Sequence, residues 1–137
     1  MKALLWALFM TEAPFARCEC DVGHRYRPDV IALSEGGAPL WWGECGSVTT
    51  EKLSELRTSF PTMRLTVAKW GHSDLSGYAS QLRQALPAMP EGAAPLVDLV
   101  SFPVDSVDRF VADDGELSVT WDAVQTLEVE SRVARRR

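Results

Sequence analysis

Two glycines in the middle of an apolar stretch constrain this chain more than any other feature. Arg27-Pro28-Asp29-Val30-Ile31-Ala32-Leu33 reads as one strand and Leu40-Trp41-Trp42-Gly43-Glu44-Cys45 as another, with Gly36-Gly37 between them. Paired glycines mark a two-residue hairpin turn, because both positions take positive φ without steric cost. A turn centred on Gly36 and Gly37 sets Leu33 against Leu40, Ile31 against Trp42 and Asp29 against Glu44. Side chains alternate along a strand, so the three pairs share one face. Two carboxylates directly opposite one another are destabilising. A compensating charge is therefore expected, and a divalent cation held by Asp29 and Glu44 is the natural candidate; the bland alternative is a solvated sheet end carrying two unrelated acids.

The chain has 137 residues, enough for one domain with a real core. Residues 1–131 are expected to form that domain and 132–137 a basic tail. Four of the 14 Lys and Arg residues fall in those last six positions, leaving ten against 19 Asp and Glu, a net of −9 for the body. Such a body excludes a broad non-specific nucleic-acid surface, which needs a basic footprint. It suits a site where a metal supplies the positive charge. The arginine tail is read as solvated.

Three cysteines are an odd number and argue against a secreted disulfide framework. The opening Met1-Lys2-Ala3-Leu4-Leu5-Trp6-Ala7-Leu8-Phe9-Met10 has some features of a signal peptide and is too short to cross a bilayer. It is read as a buried core strand over 3–12 in a cytoplasmic protein without membrane attachment.

Further along, residues 13–23 form a connection, followed by the hairpin strands near 26–33 and 40–45. Thr49 or Thr50 caps a helix running to Ser59, with Leu53, Leu56 and Phe60 inward and Pro61 at its end. Met63–Lys69 alternates as a strand. Ser73 or Asp74 caps a helix over 74–86, whose Leu75, Tyr78, Ala79, Leu82 and Leu86 make one apolar stripe. A loop over 87–95 leads to a strand at 96–102, a short helix at 105–112, a turn at Gly115, and extended pieces at Glu116–Trp121 and Thr126–Glu130. This order predicts a mixed sheet with helices on its faces, an α/β or α+β architecture.

Pro28-Asp29 followed by Glu44-Cys45-Gly46 resembles the PD-(D/E)XK nuclease superfamily, and Trp42-Gly43-Glu44-Cys45-Gly46 is similar to a pattern of the YaeQ family within it. The resemblance implies a restriction-endonuclease-like core: a helix, three antiparallel strands, a helix and a fourth strand. It implies Mg²⁺ or Mn²⁺ bound by Asp29, Glu44 and the Cys45 carbonyl, hydrolysis of nucleic-acid phosphodiesters, and for many relatives a homodimer. Two departures stand out. Gly46 occupies the position of the motif lysine, for which Lys52 in the next helix is the candidate replacement. The helix that lends a glutamate in many members is missing from the reading, leaving Glu19 or Asp21 to supply that acid.

The function expected is thus a small metal-dependent nuclease-like protein with Asp29, Glu44 and Lys52 as its catalytic residues. The rival expectation is a catalytically reduced member that serves as a binding module. Cys18, Cys20, His24 and Cys45 contain ligand types for zinc, although Cys-x-Cys is an unusual spacing. Cys45 faces away from Glu44 and makes a poor nucleophile, and His24 and His72 read as loop or capping residues. Trp41 and Trp42 alternate faces, one in the core and the other beneath a helix.

Overall fold

The computed structural model describes residues 1–71, 74–89 and 97–130. His72, the Ser73 cap, most of the 87–95 loop and the arginine tail lie outside the described residues.

Residues 3–12 do not form a strand. Lys2–Leu8 is a helix, α1, that buries Leu4, Leu5 and Leu8. Residues 3–10 are uniformly apolar, so period alone does not separate strand from helix. Their composition does: Ala and Leu are good helix formers, and the run lacks the β-branched residues that strands favour. An N-terminal helix is therefore present where the reading had none, although its residues, Lys2–Leu8, include no glutamate. The sheet edge assigned to that run is taken instead by a two-residue strand, β1 (Arg17–Cys18), antiparallel to β2 (Val30–Leu33).

β2 pairs with β3 (Pro39–Cys45), and the hairpin register places Ile31 against Trp42 and Ala32 against Trp41. The turn differs from a two-residue loop. Gly37 donates to the Ser34 carbonyl at 2.9 Å, Ser34 to that of Ala38 at 2.8 Å, and only Gly37 of the pair has positive φ, at 84°. Leu33 consequently pairs with Pro39 across a bulge. A left-handed glycine beside a bulge is the usual three-residue solution, and it leaves the register beyond unchanged. The first hairpin strand also starts later than expected, at Val30 rather than near 26, after Pro28, which cannot donate to a ladder.

α2 (Thr50–Ser59) crosses from β3 to β4 (Arg64–Trp70), and α3 (Leu75–Ala85) from β4 to β5 (Val97–Phe102). β3, β4 and β5 are parallel neighbours, as such crossovers require. α4 (Ser106–Phe110), a positive-φ turn at Gly115 and a 3₁₀ turn at Trp121–Ala123 precede β6 (Gln125–Val129), antiparallel to β5. The segment 116–121 contributes one bridge, Leu117 to Val111, and no strand. The six strands lie in sequence order in one mixed sheet.

Each face of the sheet carries a core. Leu53, Leu56, Leu75, Leu82 and Leu86 of α2, α3 and its C-terminal cap cover Ile31, Trp42, Leu65, Val67 and Leu99. On the other face α1, Phe9 and Phe110 cover Val30, Ala32, Trp41, Ala68, Val100 and Phe102. Trp41 and Trp42 are buried on opposite faces, as alternation requires, with Phe9 stacked on Trp41 at 4.1 Å between centroids. Arg57 is fully buried in α2, where its Nη1 donates to the carbonyls of Met63 at 2.6 Å, Phe60 at 3.2 Å and Pro61 at 3.3 Å. Among the described residues no helix is long and apolar enough to cross a membrane.

Candidate functional site

Because β3, β4 and β5 run parallel, their C-terminal ends at Cys45, Trp70 and Phe102 lie along one edge of the sheet. Open sheets of this kind bind ligands along such an edge. Glu44 stands one residue before the end of β3, on the face covered by α2, and is only 4% exposed. Its Oε1 accepts from Trp42 Nε1 at 2.8 Å and from Lys52 Nζ at 2.9 Å. Trp42 precedes Glu44 by two residues, so strand alternation alone aims the indole at the carboxylate. Burial raises the Glu44 pKa above the ordinary carboxylate value, the bonds from Trp42 and Lys52 oppose that rise, and the nearby charge of Asp29 adds to it.

Lys52 arrives there through a helix cap. Thr49 Oγ1 accepts from the Lys52 amide at 3.1 Å, fixing the first turn of α2. The ammonium lies 5.1 Å from the centre of the Tyr26 ring, and the side chain is 22% exposed, on the border of the buried stripe.

Asp29 lies just before β2. Its Oδ2 accepts from the Cys45 amide at 2.8 Å and its Oδ1 meets Lys2 Nζ at 3.1 Å. The hairpin thus brings Asp29 and Glu44 to one end, but Asp29 turns onto the main chain rather than simply facing Glu44. Each carboxylate has an amine of its own, Lys2 from α1 and Lys52 from α2. These two lysines supply positive charge at the two acids.

Glu19 also pairs with Lys2 and so lies beside Asp29. Asp21 accepts from the Gly23 amide at 2.9 Å in a local turn. The Cys45 side chain packs toward the α1 face, away from Glu44, and burial pushes its thiol up to about 12. All three cysteines are free, and among the described residues no group of three or more His, Cys, Asp and Glu side chains converges as a metal cluster. His24 caps its loop: Nδ1 accepts from the Tyr26 amide at 3.1 Å, and the ring packs among Tyr26, Trp42 and Phe60.

Two cations escape sequence reasoning. Lys2 is hidden by the reading of 3–12 as a strand. Lys69 follows Val67 by two residues on the face of β4 that carries Leu65, and a lysine continuing an apolar face was the available signal. Its Nζ donates to the Gly46 carbonyl at 2.7 Å and lies 4.6 Å from the Tyr78 ring centre, and burial lowers its pKa. Gly46 itself has φ of 85° and donates to Ala68 O at 3.0 Å.

No family profile matches this chain, and no curated protein does either. Two solved structures match it nearly end to end. The YaeQ protein from Pseudomonas syringae superposes with a TM-score of 0.54 at 16% identity, over 99% of this chain and 76% of that one. The YaeQ protein from Xanthomonas axonopodis pv. citri gives 0.54 at 9% identity, over 95% and 78%. At such identities the likeness is one of architecture: this chain has a YaeQ-like fold, a six-stranded mixed sheet flanked by helices.

Proposed function

We propose that this chain is a small metal-dependent nuclease-like protein of PD-(D/E)XK type that hydrolyses nucleic-acid phosphodiesters. The observation that carries the reading is the 2.9 Å contact between Lys52 and Glu44. It puts an amine at the acidic end of the hairpin although position 46 is glycine. The donor chemistry suits a hard cation: two carboxylates and the Cys45 carbonyl are oxygen ligands, with water left to complete the shell. Both carboxylates already draw ammonium groups, so the pocket attracts positive charge.

Asp29 and Glu44 would hold Mg²⁺ or Mn²⁺. When bound, such an ion supplies Lewis acidity and a lowered pKa for an attached water. Trp42 would keep the Glu44 carboxylate oriented while the Cys45 amide does the same for Asp29. Lys52, released from Glu44, would position the attacking water or neutralise the phosphate.

One observation favours a different reading, a catalytically reduced module that uses the fold for binding. Lys2 and Lys52 already neutralise both acids, and no third acid joins them in a metal cluster among the described residues. A Mn²⁺ titration followed by thermal shift, on the wild type beside Glu44→Gln, separates the two. Ligand binding stabilises the native state by RT ln(1 + [L]/Kd). The nuclease reading expects a saturable rise that the substitution abolishes. An equal or absent response in both proteins hands the site to the ion pairs and favours the binding module.

A further inference from the structure

Lys69 differs from the other two lysines in what it meets. Lys2 and Lys52 each end on carboxylates. Among the described residues the Lys69 amine makes no ion pair, and its one hydrogen bond goes to the neutral carbonyl of Gly46. An ammonium carries three donors and no acceptor, so this bond leaves two donors for another partner. The side chain is half-buried, with the Tyr78 ring on one side. A partly desolvated ammonium with donors to spare suits a negatively charged partner.

Its position says where such a partner would lie. Glu44 is the register partner of Val67, and Cys45 that of Ala68, so Lys69 stands beside Gly46 at the very end of the parallel pair. Partnered residues share a face, and Lys69 follows Val67 by two, so Lys69 and Glu44 project from the same side of the sheet. That side is the one roofed by α2 and α3. Glu44, Lys52 and Lys69 therefore gather on one face at the C-terminal ends of β3 and β4, with Lys52 paired to Glu44 and Lys69, among the described residues, paired to no acid.

We propose that Lys69 is the phosphate-binding cation of this site, a positioning residue that grips a phosphate of the nucleic-acid backbone beside Glu44. The assignment rests on the nuclease-like reading. It divides the work between the two amines on this face: Lys52 belongs to the carboxylate and the water, Lys69 to the substrate.

The test is fluorescence anisotropy with a labelled DNA strand, alone and as its duplex, with Ca²⁺ in place of Mg²⁺, over a range of salt concentrations. Wild type is compared with Lys69→Met, which keeps the aliphatic stem against Tyr78, with Lys69→Arg, and with Arg109→Gln on α4 as a remote loss of one charge. Each phosphate contact contributes roughly 0.7 to 0.9 to the slope of log Kobs against log salt. Lys69→Met is expected to bind about tenfold more weakly with a slope reduced by about that amount, Lys69→Arg to recover binding, and Arg109→Gln to change neither. A change that merely loosened the fold would leave the salt slope intact. Wild-type binding with an unaltered Lys69→Met slope overturns the assignment of Lys69 and leaves the nuclease-like reading standing. Absence of wild-type binding to either DNA form, together with a Mn²⁺ thermal shift that Glu44→Gln does not alter, overturns both. Absence of binding with a Glu44-dependent Mn²⁺ shift overturns Lys69 alone.

Discussion

Lys52 reaches Glu44 Oε1 at 2.9 Å from the first turn of a helix that starts after the strand bearing Glu44 has ended. The carboxylate is nearly inaccessible while the amine keeps partial contact with water, so the pair is lopsided in its solvation. Removing the amine leaves a buried charge whose remaining hydrogen-bond donor, among the described residues, is the Trp42 indole. Lys52→Met should destabilise the protein by about 1–3 kcal/mol, below the loss for a fully buried pair because Lys52 is partly solvated. Lys52→Met combined with Glu44→Gln should recover much of that loss, a coupling readable from urea denaturation of the four proteins. On the nuclease-like reading, phosphodiesterase activity should fall by about a hundredfold in Lys52→Met.

Acid should weaken metal binding earlier than an ordinary pair of carboxylates would. Burial raises the Glu44 pKa, and a proton competes with the cation for the same oxygen. The Mn²⁺-induced thermal shift is expected to shrink as pH falls, while pH is still above the usual carboxylate range. The sign for stability without metal is the opposite. A carboxyl raised on folding contributes most below its unfolded pKa, and that contribution is lost as pH rises through the folded value. Thermal melts with and without Mn²⁺ across the acid range should therefore converge on the acid side.

Cys45 should be chemically quiet despite its place between the two acids. With its thiol pushed up to about 12, only about one molecule in ten thousand carries a thiolate near pH 8. Iodoacetamide labelling followed by peptide mass spectrometry should modify Cys18 and Cys20 first. Cys45 should react only after unfolding, or about tenfold faster for each unit of added alkalinity.

The cap of α2 connects stability to the site. Thr49→Ala removes the acceptor for the Lys52 amide and should cost about 1 kcal/mol, while Thr49→Ser should be close to neutral. Because the capped amide belongs to Lys52 itself, the alanine variant should also lose activity, and the serine variant should not.

Arg57→Met tests a purely structural cation. The guanidinium holds three carbonyls just beyond the end of α2, and the buried one, that of Met63, would lose this donor. A loss of about 3 kcal/mol or more is expected in denaturant titration, with the Mn²⁺ response of the folded fraction unchanged.

The sheet and its two crossover helices were readable because their signals are local. Thr49 and Asp74 both accept from amides three residues on, as caps do, and the leucine stripes of α2 and α3 point inward. The hairpin register survived an error in its turn, since the bulge at Leu33 absorbed the extra loop residue before Ala32 and Trp41. The helix at Lys2–Leu8 was not readable from periodicity, because a run apolar on every side has none to offer. With α1 misassigned, nothing in the sequence brought Lys2 to Asp29. Lys69 was missed for another reason: its neighbour Gly46 lies on the adjacent parallel strand, and that pairing exists only once a helix has carried the chain back.

Gly46 decides from which elements this end of the sheet can draw positive charge. A β-carbon placed there would meet no atom within 4 Å, so crowding does not keep a side chain out; the backbone does, by holding φ at 85°. An L-residue in that conformation costs roughly 1–2 kcal/mol. A single codon change to lysine would thus set a charge beside Glu44 at the expense of the bend that ends β3. The amines at this end of the sheet come instead from α1, α2 and β4, none of which has to bend the strand that carries Glu44.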